Sequence, residues 1–108
     1  MPREFSRNQR LGNQVIRTLN ELLRFEKKDP RLEMVSLTAV DLSRDLSYAQ
    51  VYFSMLDPNA DPAPVLEGLQ RASGFLRGRL GREIKIRHVP ELRFSHDDSA
   101  AEAQRISD

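Results

Sequence analysis

Residues 48–55 read Tyr-Ala-Gln-Val-Tyr-Phe-Ser-Met, and they alternate between two kinds of side chain. Ala49, Val51, Phe53 and Met55 fall on one face of an extended chain, and the more polar residues fall on the other. Because successive side chains of a strand point to opposite sides, this pattern predicts a strand with one buried face. We therefore expect a sheet that other elements cover on one side.

Two further strands are predicted, one before and one after this segment. The stretch from Met34 to Val40 is rich in apolar and β-branched residues, and Ser43-Arg44-Asp45 offers turn chemistry before Tyr48. An antiparallel hairpin is the economical arrangement of these two strands. A short third strand is predicted where Leu92 and Phe94 alternate with polar neighbours.

The first helix is predicted to begin at a capping box, with Ser6 as the cap and Gln9 reaching back to it. It is expected to stop at Asp29-Pro30, because proline restricts the residue before it. Apolar side chains at helical spacing form its inward stripe. They are Leu11, Val15, Leu19, Leu22 and Leu23, and the polar side carries Arg7, Arg10, Arg17 and Arg24.

A second helix is predicted after the loop of residues 57–64, with Asp61 as its cap and Pro62 at its first position. Its inward residues are Val65, Leu66, Leu69, Ala72, Leu76 and Leu80. This spacing continues through Ser73-Gly74, so periodicity permits one long helix. Glycine disfavours a helix interior, however, so Gly74, Gly78 and Gly81 argue for a break. The elements together predict an α+β fold with helices packed on one three-stranded sheet.

The composition fits one small domain. The chain has 108 residues, of which 39% are hydrophobic and 31% are charged with mixed sign, so one modest core is possible. We expect residues 1–98 to form that domain and residues 99–108 to form a polar, acidic, flexible tail. The chain has no cysteine, which excludes disulfides and thiolate metal sites. No signal peptide or membrane-spanning run is visible, so a cytoplasmic location is expected.

The net charge is only +1, but it is unevenly distributed along the chain. Residues 68–94 carry seven basic and two acidic side chains, a net charge of +5, and residues 1–30 carry a net charge of +3. Residues 31–67 and 95–108 are acidic, with net charges of −4 and −3. Two separate basic zones suggest a local anionic partner, although ordinary solvated charge gives the same count.

The segment from Arg71 to Arg82 holds the strongest functional signal. On a helical wheel with about 100° per residue, Arg71, Gly74, Gly78 and Arg82 of this segment lie opposite the apolar stripe. Glycines would let another backbone approach closely, and a helix beginning at Gly74 or Phe75 would present free amides to a phosphate. Surrounding arginines would add charge-assisted hydrogen bonds. The plain alternative is a helix break beside solvating arginines.

Other constellations are weaker. His88 and His96 with Asp97 and Asp98 lack a recognised metal-ligand spacing, so no metal site is expected. Tyr48 and Tyr52 share a strand face and are more often packing residues than base-stacking ones. No serine belongs to a nucleophile motif, so no catalytic activity is expected.

Several short motifs follow one another in a definite order and spacing. They are Phe5-Ser6-Arg7 with Arg10; Asp29-Pro30-Arg31; Thr38, Val40 and Asp41; Ser43, Asp45-Leu46 and Ala49; Ala72-Ser73-Gly74 with Arg77 and Leu80; Val89-Pro90-Glu91-Leu92-Arg93-Phe94; and Asp97-Asp98-Ser99. Together they resemble the ribosome-binding factor A family over residues 5 to about 99. The family pattern often continues with an amphipathic stretch, whereas residues 99–108 contain only Ile106 as a large apolar residue.

The resemblance implies a type II KH fold in the order helix, strand, strand, helix, kinked helix, strand. The usual GxxG loop is replaced by a helix kink, here at Ala72-Ser73-Gly74. It also implies a non-enzymatic factor without a cofactor that binds the small ribosomal subunit and its RNA. Such factors support late maturation and 5′-end processing of that RNA, aid growth in the cold, and are released with the help of a partner GTPase.

These considerations predict a monomeric RNA-binding assembly factor with no membrane partner. The predicted RNA-binding residues are Arg71, Ala72, Ser73, Gly74, Arg77, Arg79, Arg82, Lys85 and Arg87, with Arg7 and Arg10 of the first helix. The alternative from another class is a protein-interaction adaptor whose basic face binds an acidic protein. A small hydrolase is a third and poorer interpretation, because no catalytic constellation is present.

Overall fold

The computed structural model describes residues 2–25, 30–33, 35–57 and 59–97, with side chains described from Gln9 onward. Helix α1 spans Pro2–Phe25, and a 3-10 turn spans Pro30–Leu32. Strands β1 (Val35–Leu42) and β2 (Tyr48–Met55) follow, then helix α2 (Ala63–Glu83) and strand β3 (Glu91–His96). The predicted α+β arrangement of helices on a three-stranded sheet is confirmed.

The sheet is mixed, with β2 in the centre. β1 and β2 form the predicted antiparallel hairpin, in which Val40 lies opposite Val51. The register shifts between Leu37 and Ala39, so that β1 contains a bulge at this point. β3 runs parallel to β2, with Phe94 opposite Val51, because the long crossover through α2 returns the chain to the same end of the sheet.

One apolar core lies between the two helices and one face of the sheet. Phe53, Val51 and Ala49 of β2 are fully buried, as the alternation in this strand predicts. α1 and α2 cover them with the apolar stripes that their periodicity predicts. The buried helical residues include Val15, Leu19, Leu22, Leu23, Leu69, Leu76 and Leu80. The opposite face of the sheet remains open to solvent along β2 and β3.

Polar contacts fix the hairpin and its edge strand. The Asn20 side chain donates to the carbonyl of Leu37 and accepts from its amide, both at 3.0 Å, and so ties α1 to β1. In the turn, the amide of Ser43 donates to the Tyr48 carbonyl at 3.0 Å. Asp45 accepts hydrogen bonds from Ser47 and Ser43, which lower the pKa of its carboxyl group. The predicted turn is therefore confirmed.

The predicted start of α1 is wrong. The helix already begins at Pro2, so Ser6 lies inside it and is not an N-cap. Proline is tolerated in the first turn of a helix, because the amide that it lacks would have no partner there. The described helix ends at Phe25, and Asp29 lies outside the described residues.

α2 is a single helix through all four of its glycines, including the three that argue for a break. The predicted break at Gly74 is therefore not present, and neither is a helix N-terminus at Gly74 or Phe75. None of the described glycines has a positive φ. Burial of Leu76 and Leu80, both fully inaccessible, outweighs the low helix propensity of glycine. The Ser73 hydroxyl donates to the Gln70 carbonyl at 2.8 Å, a contact of the kind that often bends helices.

The start of α2 is shifted by one residue from the prediction, because the helix begins at Ala63 with Pro62 in the capping position, but Asp61 still makes a capping-type hydrogen bond. Pro62 has helical dihedral angles, and its carbonyl accepts from the Leu66 amide at 2.9 Å. The carboxylate of Asp61 accepts from the amide of Ala63 at 3.0 Å, which satisfies an amide that the helix itself leaves unpaired.

Candidate nucleic-acid interface

The outer side of α2 is a continuous exposed surface, which we call the basic face. It comprises Arg71, Gly74, Phe75, Gly78, Arg79 and Arg82, all of them exposed. It lies opposite the buried stripe formed by Leu69, Leu76 and Leu80. The chain that leaves α2 adds three more exposed polar side chains, Lys85, Arg87 and His88. We call these last three the basic loop.

The cations of the basic face are weakly held. Arg71 pairs with Glu67 at 3.0 Å, and Arg79 pairs with Glu83 at 3.6 Å, each one helical turn away. Exposed pairs of this kind contribute about 0–1 kcal/mol, so a phosphate can compete for either arginine. Within the described part of the chain, Arg82 has no hydrogen-bond or ion-pair partner.

The basic loop is equally open. Lys85 and Arg87 are exposed, and neither has a partner among residues 9–25, 30–33, 35–57 and 59–97. With Arg71, Arg79 and Arg82 they make five cations that are available to an anion. This arrangement suits a chain of phosphates better than a single ion, because the cations extend along the helix and beyond its end.

Arg77 has a different environment from the other predicted arginines. Its Nε and Nη2 atoms both donate to the carbonyl of Val89, at 3.1 and 2.9 Å. The guanidinium therefore ties α2 to the chain just before β3. The geometry gives Arg77 the role of positioning the basic loop, whereas the sequence alone groups it with the phosphate-binding arginines.

The three glycines in the second half of α2 differ in whether packing requires them. A Cβ atom placed on Gly74 or Gly78 would meet nothing within 4 Å, so packing does not require glycine at either position. At Gly81, by contrast, a Cβ would lie 2.8 Å from Cγ2 of Val89. Gly81 thus allows Val89, the residue that follows the basic loop, to pack on the helix. Gly74 and Gly78 leave two positions of the basic face without a side chain, which permits close approach of another molecule there.

Ala72 and Ser73, the other two residues of the predicted kink, are half-buried. Ala72 packs against the core, and the Ser73 hydroxyl is occupied by the Gln70 carbonyl. Of the three kink residues, Gly74 alone is exposed.

The polar side of α1 forms a second zone, in which Arg7 and Arg10 are the predicted RNA-binding residues. Arg10, Arg17 and Arg24 are exposed and have no partner among the described residues. The backbone of Arg7 is helical, but its side chain lies outside the described part of the structure.

The open face of the sheet is already engaged in internal contacts. The Arg93 guanidinium lies 4.3 Å from the ring centre of Tyr48 and also pairs with Glu91 at 3.0 Å. The Tyr52 hydroxyl donates to Asp41 at 3.4 Å. Desolvation and the nearby carboxylate of Asp41 raise the pKa of Tyr52. The negative charge beside Tyr52 disfavours nucleic-acid phosphates.

The two histidines do not come together. His88 is exposed in the basic loop, whereas the ring of His96 packs against Phe53 with 5.4 Å between ring centres. Asp98 lies outside the described residues. Within the described residues, no group of three or more histidine and carboxylate side chains is arranged to hold a metal.

Comparison with known proteins places this geometry in a family. The sequence profile described as ribosome-binding factor A matches residues 7–108. A ribosome-binding factor A of Thioalkalivibrio sulfidiphilus is 50% identical over 107 residues, which cover 99% of this chain and 83% of that protein. This chain belongs to the ribosome-binding factor A family.

Solved structures of the family share the fold. The crystal structure of ribosome-binding factor A from Thermus thermophilus superposes with a TM-score of 0.75 and 31% identity, covering 82% of this chain and 94% of that one. A homology model of the Thermus thermophilus ribosome binding factor A, fitted into the cryo-EM map of a 30S complex, gives a TM-score of 0.69 and 32% identity. It covers 85% of this chain and 97% of that one.

The order helix, strand, strand, helix, strand in this chain is consistent with the KH-like fold predicted for the ribosome-binding factor A family, although α2 lacks the predicted kink. Neither described helix is long and apolar enough to cross a membrane. Phe75 is not among the binding residues predicted from the sequence. Its position between Arg71 and Arg79 on the helical wheel is the signal that would have placed it on the basic face. Its side chain is 45% exposed in the middle of the basic face.

Proposed function

We propose that this protein binds the small ribosomal subunit by holding its RNA against the basic face of α2 and the basic loop. The observation that carries the proposal is the set of five available cations beside two glycines that no packing requires. Family membership names the target, since a relative has been fitted into the map of a 30S complex. The basic side of α1 extends the same contact.

Within that function, the protein supports late maturation and 5′-end processing of the small-subunit RNA as a binding factor. It does not cut the RNA itself. Among the described residues, the Ser and Thr hydroxyls that donate to a carboxylate are those of Ser43, to Asp45 within the hairpin turn, and of Thr38, to Asp97, and both contacts are exposed. Residues 1–98 act as one RNA-binding domain, as a cytoplasmic monomer, and a ribosome-associated GTPase promotes its release.

Co-sedimentation with small subunits, large subunits and whole ribosomes tests this proposal. We expect the protein to pellet with small subunits and to bind large subunits much more weakly. Repeating the measurement across salt concentrations should give a log–log slope of about −3 to −4, as expected for five engaged phosphates. Equal binding to both subunits, or a slope near zero, would contradict the proposal.

The alternative adaptor function predicts a different result. An acidic protein partner would leave binding to protein-free small-subunit RNA undetectable at low salt. We expect instead that the RNA alone retains a salt-dependent part of the affinity, because the phosphate backbone supplies most of it.

A further inference from the structure

The ring of Phe75 is an apolar surface set among cations. Its side chain is 45% exposed, and it lies outside the buried core cluster. Arg71 and Arg79 lie one helical turn before and after it, with Cβ atoms about 5–6 Å away. The residue three positions ahead is Gly78, which has no side chain to cover the ring.

No described aromatic or cationic side chain stacks on this ring. Among the described residues, the aromatic contacts are those of Phe53 with His96 and of Tyr48 with Arg93, and neither involves Phe75. Tyr48, in contrast, has one ring face covered by a guanidinium. Phe25 and Leu56 are more exposed than Phe75, but the side chain one turn before Phe25 is the acidic Glu21. Phe75 is thus a half-exposed aromatic ring with flanking arginines.

This combination matches the chemistry of an unpaired nucleotide. A nucleobase in a single strand offers a flat face to an aromatic ring, and the phosphates on either side of it seek cations. Paired bases cannot do this, because their faces are stacked inside the duplex. Phosphate contacts alone would leave Phe75 without a role, and an apolar protein partner would leave Arg71 and Arg79 without one.

We infer that Phe75 stacks on an unpaired base of the bound RNA, while Arg71 and Arg79 hold the adjacent phosphates. The inference rests on the proposed function and adds to it the kind of RNA that the basic face selects, namely a single-stranded segment. The exposed glycines on either side, Gly74 and Gly78, leave room for the base and its sugar next to the ring.

Three variants at one position separate stacking from apolar contact. Phe75→Tyr keeps an aromatic ring and should bind small subunits within about twofold of the parent. Phe75→Leu keeps an apolar side chain without a ring and should bind on the order of tenfold more weakly, as expected for the loss of one stacked base. Phe75→Ala should be at least as weak. Because Phe75 lies outside the core, thermal melting should show all three to be folded.

A fluorescence measurement reports the stacking directly. The chain contains no tryptophan, so Phe75→Trp introduces a single reporter. We expect single-stranded oligoriboadenylate to quench its fluorescence, and an abasic ribose-phosphate chain of equal length to quench it far less. Tyr48→Trp, on the open face of the sheet, is the matched control and should respond to neither.

The outcomes distinguish the two levels of the proposal. If the parent protein fails to bind small subunits at all, the proposed function itself is wrong. If the parent binds and Phe75→Leu binds equally well, or if duplex RNA quenches Phe75→Trp as strongly as the single strand, the stacking inference is wrong and the phosphate contact stands.

Discussion

The basic face of α2 and the open face of the sheet are built from the same residue types but differ in what those residues contact. On the sheet, Arg93 is shared between Glu91 and the ring of Tyr48, and Tyr52 donates to Asp41. On α2, Arg71 and Arg79 each pair with one exposed glutamate a turn away, Arg82 has no partner among the described residues, and Phe75 is 45% exposed with no described aromatic or cationic group stacked on it. Arginine and aromatic content alone therefore does not identify a nucleic-acid surface. The decisive property is whether the protein already satisfies those side chains.

The largest effect should come from a negative charge in the middle of the basic face. Gly74→Glu adds bulk and charge where a phosphate is expected, and the open space around Gly74 accepts the side chain without a clash. We expect the variant to fold and to lose at least about 90% of its small-subunit binding, since it replaces attraction by repulsion at close range.

The control for this variant is Ala39→Glu, which makes the same change of net charge at an exposed position of β1. It should leave binding within about twofold. Equal losses in the two variants, with both proteins folded by thermal melting, would show that overall charge and not the basic face governs binding.

A smaller effect is expected from removing one cation at a time. Arg82→Gln should weaken binding and make the salt slope shallower by about 0.7–0.9, the contribution of one phosphate contact. Arg93→Gln removes the same charge from the open face of the sheet and should leave the slope unchanged. Co-sedimentation across salt concentrations measures both. A shallower slope for Arg93→Gln would mean that the sheet also contacts RNA.

Arg77 should behave as a structural residue within the basic segment. Arg77→Lys keeps the charge but loses the paired donation to the Val89 carbonyl, which needs the planar guanidinium. We expect a loss of about 1 kcal/mol in the free energy of unfolding, measured by urea denaturation. Binding should weaken with little change in salt slope. Weaker binding without any loss of stability would make Arg77 a direct phosphate contact, because lysine keeps the charge but not the paired donors of the guanidinium.

Substitution of Gly74 is expected to change stability and RNA binding in opposite directions. Gly74→Ala should stabilise the protein by up to about 1 kcal/mol, because its φ is not positive and nothing opposes the added Cβ. Gly81→Ala should gain less or destabilise, since the Cβ approaches Val89 too closely. If RNA approaches the backbone at Gly74, the more stable Gly74→Ala variant will bind more weakly than the parent.

The smallest effect concerns the titration of Tyr52 on the open face of the sheet. Desolvation and Asp41 raise its pKa above the ordinary value of 10.0. Because the folded state holds the phenol proton more tightly, this contribution to stability is present below pH 10 and is lost as the pH rises through the raised pKa. Asp41→Asn should lower the pKa of Tyr52 in an ultraviolet titration. An unchanged value would leave desolvation as the dominant cause.

Several features could be predicted from the sequence because they depend on local chemistry and on periodicity. The alternation in residues 48–55 predicted which side chains of β2 are buried, and helical spacing predicted the inward stripes of α1 and α2. Turn-forming Ser43 and Asp45 predicted the hairpin. The start of α1 was missed because a polar Ser6 resembles a cap wherever it stands, whereas Pro2 is the residue that opens the helix.

Other features were decided only by the tertiary structure, because they depend on which distant residues meet. Glycine propensities argued for a break in α2, but burial of Leu76 and Leu80 against the sheet keeps the helix continuous. The sequence groups Arg77 with the neighbouring phosphate-binding arginines. The Val89 carbonyl comes within reach of the Arg77 guanidinium only because the chain returns to β3. Sequence alone determined that this protein has a cationic helix face. Folding determined that Arg77 is engaged by the Val89 carbonyl, twelve residues further along the chain, while Arg71 and Arg79 contact glutamates of their own helix and Arg82 remains open among the described residues.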